Sequence, residues 1–473
     1  MRTAFGTVLV WIIVCALLAS CSLSRSSAAP DSVNEKAEQP EAPIKILFGS
    51  AELGSEALVA SVNRYEQLTG KQIEVHTFSH DNIQAKVYNE LIQQSNTFDL
   101  ILMNAAWVPI MISHLEPLSG YLTDEAYGDA QLEDLVAKIL ADGSLFNPRQ
   151  LSSIMPPEEI GPVENITARG FDFYTLPIAS NVLMGTYRED VFKDRLVKQA
   201  FEQRYDKEIA LPATLMEYET LNRFFTSELD TSLNKGISYG STFMAGDAEA
   251  SFIEYTAILN ALGGSLYSDK QQPNLMTSEA LKALELYGKW LNDRSISSPE
   301  VLDFGWEEAA IAFNSGQAAM GMNVFKMELS PAIRTGRLDY FTFPSMDEQG
   351  KGPYLITWGL AINKYSSQKN AAYELLNYLT SSEQQISALK YKNQITRISA
   401  FAASDELIIE QNRNYYDVLL TSIERAALRP RMINYSQMVD IVSTAIQAYI
   451  SGNASAEQAL SQAQTELLEL GSS

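Results

Sequence analysis

The chain has 473 residues, a formal net charge of −23 and a hydrophobic content of 46%. Such a charge repels polyanions, which excludes nucleic acid as a partner, and the apolar fraction is enough to bury a sizeable core. Two cysteines and three histidines leave little material for a disulfide framework or a metal cluster.

The N-terminus carries the strongest local signal. Arg2 precedes an apolar run from Thr7 to Leu18, and Leu18-Ala19-Ser20-Cys21 follows. A positive start, a short apolar stretch and small residues before a cleavage point predict a secretory signal over residues 1–20, because a spanning helix needs ~20 apolar residues. The four residues ending at Cys21 resemble the bacterial lipobox, in which cleavage leaves a lipid-modified cysteine as the first mature residue. The resemblance implies that Cys21 anchors the chain on the extracytoplasmic side of a bacterial membrane and that Cys15 is discarded, leaving no cysteine for a disulfide. Residues 21–43, rich in Ser, Ala, Glu, Gln and Pro, read as a solvated tether.

About 430 residues remain, more than one ordinary core accommodates and suited to two lobes. Ile44 to Gly49 reads as a buried strand. Glu56 to Thr69 has apolar residues at helical spacing and stops at Gly70, and Gln72 to Phe78 is the next strand, completing a strand-helix-strand unit of a parallel sheet. The unit repeats with a helix over Asn82 to Gln94 and a strand over Phe98 to Asn104. Between Phe173 and Tyr187 an apolar segment is broken by Pro177 and Ser180-Asn181; a proline in a strand pattern requires an edge or a crossing. Helices follow over Ala213 to Thr226, Ser251 to Leu262 and Ser278 to Asn292. Leu338 to Pro344 repeats the proline-marked strand, and two such crossings predict lobes that are discontinuous in sequence. Trp358 to Ile362 is strand-like, Gln368 to Leu379 helical, and the chain ends in helices over Ser436 to Tyr449 and Ala456 to Leu470.

Several segments, in order, resemble the extracellular solute-binding proteins of sugar importers, a type II periplasmic-binding fold that includes maltose-binding protein. They are Phe98-Asp99-Leu100-Ile101 with Trp107 and Leu115-Glu116-Pro117-Leu118; Tyr174-Thr175-Leu176-Pro177-Ile178-Ala179-Ser180-Asn181-Val182; and Phe313-Asn314-Ser315-Gly316-Gln317-Ala318-Ala319-Met320. Trp358-Gly359-Leu360-Ala361-Ile362-Asn363-Lys364, Leu379-Thr380-Ser381-Ser382-Glu383-Gln384-Gln385 and Pro430-Arg431-Met432-Ile433-Asn434-Tyr435 complete the set. The resemblance runs from about Ile44 to the C-terminus. It implies two α/β lobes, each a mostly parallel sheet flanked by helices: 44–175 with 345–395, and 176–344 with 396–473. A ligand cleft lies at the hinge. It further implies capture of a small solute, a carbohydrate, by hinge closure and delivery to the permease subunits of an ABC transporter whose ATPase is a separate chain, by a monomer that needs no cofactor. The chain departs from the family pattern at Asn104, where relatives often carry Asp, and at Asn323-Val324-Phe325, where many carry Gly and Trp.

A sugar ring presents hydroxyls at its edge and weakly apolar C–H faces, so its site needs aromatic platforms and hydrogen-bonding side chains. Family position makes Glu52, Asn104, Trp107, Asn181, Phe325, Trp358 and Tyr435 the ligand-binding candidates. Each also has a structural reading, such as packing within its own lobe or, for Asn181, holding a turn. Trp306, beside Glu307 and Glu308, reads as a helix start outside the site.

Other classes of function fit less well. A secreted glycoside hydrolase would need two carboxyls facing one cleft, and no carboxylate pair stands at an expected motif. His76 and His80 are four residues apart, but Val75-His76-Thr77-Phe78 reads as a strand, where that spacing does not make an adjacent metal-ligand pair; both read as surface histidines. The sequence has no P-loop and no Gly-x-Ser-x-Gly elbow, so the chain is expected to be neither an ATPase nor another enzyme. A ligand-sensing lipoprotein of the same fold, docking on a membrane receptor, stays open beside transport.

Overall fold

The computed structural model describes residues 42–50, 54–327, 329–331, 333, 337–346, 351–406 and 414–472. The signal peptide, Cys21 and Glu52 therefore lie outside the described residues, as does nearly all of the tether. From Ala42 onward the chain forms one compact unit.

Two sheets organise it. In chain order the strands are β1 (Ile44–Gly49), β2 (Ile73–Phe78), β3 (Leu100–Asn104), β4 (Leu176–Asn181), β5 (Met184–Arg188), β6 (Tyr239–Thr242), β7 (Ala318–Asn323), β8 (Leu338–Thr342) and β9 (Ile356–Ile362). The first sheet has the order β2-β1-β3-β9-β4 and the second β8-β5-β7-β6. β1 is parallel to β2, with Ile44 opposite Ile73, and parallel to β3, with Ile46 opposite Leu100. Every residue of β3 and β9 is buried, the pattern of strands covered on both faces.

The two-sheet α/β architecture follows the sequence reading, while the pairing is more mixed. β9 runs antiparallel to β3 and β4, and in the second sheet only β6 and β7 are parallel. β4 closes the first sheet as its edge strand, which explains how it tolerates Pro177: the missing N–H faces no neighbour that needs it. The change of sheet comes at Val182-Leu183, a few residues beyond Leu176. β8 is likewise an edge strand, and Pro344 follows it. The later connecting segments, Gly352–Tyr354 and Ala426–Ala427, pair in parallel, with Gly352 opposite Ala426.

The helix Ala248–Ala261 is buried on all sides from Ala250 onward. It packs against Ser278–Asn292 and Tyr435–Ile450, and Tyr435–Ile450 packs on Ala456–Ser472. One carboxyl lies inside this helical layer. Glu254, 3% exposed, accepts hydrogen bonds from the Tyr287 hydroxyl at 2.5 Å and the Met244 amide at 3.0 Å, and burial pushes its pKa from 4.5 up to about 7. A folded-state pKa above the unfolded value means that the native state holds a proton the unfolded chain releases. Stability then falls as pH rises from about 4.5 to about 7, by up to about 3 kcal/mol, and levels off above. Glu254→Gln should remove this slope, so urea unfolding at pH 5 and pH 8 should show the variant gaining on the parent at the higher pH. Parallel pH profiles for the two proteins would contradict the account.

Candidate ligand-binding cleft

A cleft of about 280 Å³ lies at the carboxyl end of β3, the usual ligand position in open α/β sheets. One wall comes from the first sheet: His80 and Gln84 on the helix His80–Ile92, Asn104 at the end of β3, Trp107 in the short turn after it, and Trp358 in β9. The facing wall is made of helix starts. Asp247, Ala248 and Glu249 open the helix Ala248–Ala261, Trp306 opens Trp306–Asn314, and Tyr435, Ser436, Val439 and Asp440 lie in the first turns of Tyr435–Ile450. Helix N-termini offer unpaired backbone N–H groups and partial positive charge, which suit oxygen-rich solutes. Another cavity of similar size, about 300 Å³ between Tyr267, Gln272, Pro430 and Leu467, is lined by neither a tryptophan nor a carboxylate among the described residues.

The aromatic side chains form a continuous edge-to-face series across the cleft. Trp107 meets Trp358 at 5.2 Å and 89°, Trp358 meets His80 at 6.1 Å, His80 meets Phe325 at 5.8 Å, and Phe325 meets Trp306 at 5.8 Å. Such contacts add about 0.5–1.5 kcal/mol each beyond area burial, so the rings hold one another in place.

Beneath this wall lies a buried polar cluster. Arg429 donates from Nη2 to Asn104 Oδ1 at 2.8 Å, and its guanidinium sits 5.6 Å from the Tyr435 ring centroid. Burial pushes the Tyr435 hydroxyl up to about 12 despite the nearby Arg429 charge. Burial also raises the Glu249 carboxyl, against the pull of His80 and Arg429, and raises Asp142, against Arg429 and other partners. Arg431 closes the carboxyl end of the helix Ala137–Gly143: it donates to the carbonyls of Leu145 at 2.6 Å, Asp142 at 3.0 Å and Ala141, and lies 4.1 Å over the Phe146 ring. A cation there complements the helix dipole. Among the described residues no group of three His, Cys, Asp or Glu is placed to hold a metal ion.

Of the residues chosen from sequence, Asn104, Trp107, Trp358 and Tyr435 are brought together on the cleft walls. Phe325 stands behind His80 and Trp306. Asn181 is turned away: 2% exposed, it donates from Nδ2 to the Val324 carbonyl at 3.1 Å and ties β4 to the end of β7. Glu52 is not described. Two sequence readings are corrected here. Trp306 does start a helix, but that start faces the cleft, and His80 lines the cleft rather than the outer surface. His76 is exposed and lies 3.5 Å from Glu74. Sequence reasoning also missed Gln84, Asp247, Glu249, Ser436, Asp440 and Arg429. The available signal was positional: Asp247 is an N-cap, accepting from Ala250 N at 2.8 Å, and helix starts that follow strands converge on the carboxyl ends of a sheet.

Comparison with known proteins decides the family. Residues 51–386 match the profile of the bacterial extracellular solute-binding proteins. The chain belongs to that family. Solved structures share its fold at low identity. A maltose-bound MalE3 of T. maritima is 20% identical with a TM-score of 0.70, the match covering 90% of this chain and 99% of that one. An ABC transporter solute-binding protein of Agrobacterium radiobacter in complex with ribitol is 19% identical with a TM-score of 0.69, over 91% and 99%. Another from Agrobacterium vitis, with bound D-mannitol, is 18% identical with a TM-score of 0.66, over 91% and 99%. Among the described residues no helix is long and apolar enough to cross a membrane.

Proposed function

We propose that this solute-binding protein captures a carbohydrate or polyol in the cleft and delivers it, unaltered, to the permease of an ABC transporter. The observation that carries the reading is the pairing of Trp107, Trp306 and Trp358 with Asn104, Glu249, Tyr435 and Asp440 around one cavity: flat apolar faces for C–H surfaces and polar groups for hydroxyls. The maltose, ribitol and mannitol held by structures of the same fold support the same class. In this reading residues 44–181 with 345–395 and residues 184–344 with 396–473 act as lobes. The solute touches both walls only when the cleft is shut, and the difference in binding energy between the two forms favours closure. A specific ligand raises the melting temperature by mass action. Calorimetry and thermal shift against neutral sugars, amino sugars and polyols should yield at least one saturable binder, recovered chemically unchanged. A response confined to peptides, metal ions or polyamines would sink the proposal.

We also propose that Cys21 carries the acyl anchor that keeps the monomeric chain at the extracytoplasmic face of the membrane. Acyl chains contribute ~0.8 kcal/mol per buried methylene, and two or more give stable attachment. Metabolic labelling with palmitate should mark the wild-type protein and leave Cys21→Ser unlabelled; label retained by the variant would refute the anchor.

A further inference from the structure

The polar groups of the cleft are unevenly distributed in charge. Among the described residues its lining holds three carboxylates, Asp247, Glu249 and Asp440, and neither lysine nor arginine. Asp247 is accounted for by its cap on Ala250. Glu249 and Asp440 make no hydrogen bond or ion pair with any described residue. Glu249 is half-buried; burial raises its carboxyl even against the charges of His80 and Arg429, so its ionised form is incompletely compensated and a further cation beside it would stabilise that form. The cation behind the cleft, Arg429, is 5% exposed and is engaged with Asn104 and the Tyr435 ring.

Asn104 adds a second, independent constraint. Its Oδ1 accepts from Ala106 N at 3.1 Å and from Arg429 Nη2 at 2.8 Å. Both are obligate donors, so the amide can be placed only with its oxygen towards them. Nδ2 is left on the other side, on a residue 5% exposed that lines the cleft, and no described residue accepts from it. Asn104 is the cross-strand partner of Trp358, so this end of the cleft presents a fixed N–H donor beside an aromatic ring and calls for an acceptor oxygen. The facing wall presents half-buried Glu249 and exposed Asp440 in the same lining as Trp306, a setting that favours a cation. Aromatic rings favour a cation as well, by about 0.5–2 kcal/mol according to solvation.

We propose that the solute is a saccharide carrying a protonated amine, with hydroxyl or ring oxygens towards Asn104 and the ammonium towards Glu249 and Asp440. The proposal rests on the carbohydrate reading of the cleft and narrows it. The test is calorimetric affinity for matched pairs that differ in one group, D-glucosamine against D-glucose and D-galactosamine against D-galactose, together with the β-1,4 glucosamine dimer against cellobiose. At least one amino sugar should bind ten-fold or more tightly than its neutral partner. The preference should shrink at 1 M salt and fall to three-fold or less in Glu249→Gln with Asp440→Asn, read as the ratio of the two affinities within each protein, with an unchanged far-UV spectrum showing that the variant is folded. Neutral sugars binding as tightly as their amino partners would overturn the charge assignment and leave the carbohydrate reading standing. A preference that survives in the double variant would overturn the roles of Glu249 and Asp440. Absence of binding to every sugar of both kinds would remove the carbohydrate reading, and this inference with it.

Discussion

Replacing Arg397 with methionine should lower the free energy of unfolding by about 3–5 kcal/mol, the range for removing one partner of a buried ionic cluster. The Arg397 side chain is fully buried. Nε donates to the Thr380 carbonyl at 2.6 Å, Nη1 to the Gln131 carbonyl at 2.8 Å and Nη2 to the Ala130 carbonyl at 2.9 Å, and Asp134 lies 3.5 Å from Nη1. The fork thus joins three segments distant in sequence. Methionine fills much of the volume but leaves the buried carbonyls of Thr380 and Ala130 without their donor, each costing about 1–3 kcal/mol less whatever relaxation recovers, while the exposed Gln131 carbonyl keeps the Asp134 amide at 3.1 Å. Asp134 keeps its bonds from Ser382 and Ser399, which outweigh burial and hold its carboxyl below the usual value. Arg397→Lys should recover little, because a single ammonium cannot span the three carbonyls that a planar fork reaches. Urea unfolding measures both variants, and a loss under about 1 kcal/mol in Arg397→Met would show that the cluster is dispensable.

The tryptophans of the cleft should separate into two kinds when truncated. Trp107 is half-buried, on a short turn outside the sheet. Trp107→Ala should cost about 1.5–3 kcal/mol in ligand binding, or ten- to a hundred-fold in affinity for the tightest-binding solute of the panel, with a small change in melting temperature. Trp358 is 3% exposed, within β9 and paired in register with both Asn104 and Ala179. Its truncation opens a hole in the first sheet, and Trp358→Ala should cost about 3–5 kcal/mol of stability in addition to affinity. Calorimetry and thermal melts of the two variants read the two losses separately. A Trp107→Ala protein that binds as tightly as the wild type would remove that ring from the ligand's contacts.

Legibility in the sequence followed the strength of the local signal. The helix Ser278–Asn292 lies where the apolar spacing puts it, and Pro177, which cannot donate to a sheet ladder, left an edge or a crossing open, of which the strand takes the edge. The antiparallel placement of β9 beside β3 was not legible. Pairing direction depends on the return path of the chain across two sheets, and Ile356–Ile362 carries the same apolar run in either direction. In the cleft, residues directly after strands could be found, as with Asn104 and Trp107. Trp306 and Glu249 could not, because a helix start reads identically whether it faces solvent or a ligand. Arg429 was hidden for a further reason: the 325 positions between it and Asn104 leave no local trace of their contact.

Three of the five tryptophans in the chain line the cleft. A fourth, Trp290, is 1% exposed, packed against Tyr218 and Phe243 far from solvent. Indole emission shifts with the polarity of its surroundings, so occupancy of the cleft should be visible as a change in intrinsic fluorescence over a constant background from Trp290. The protein thus carries its own optical reporter, and solutes can be screened by titration without attaching a dye.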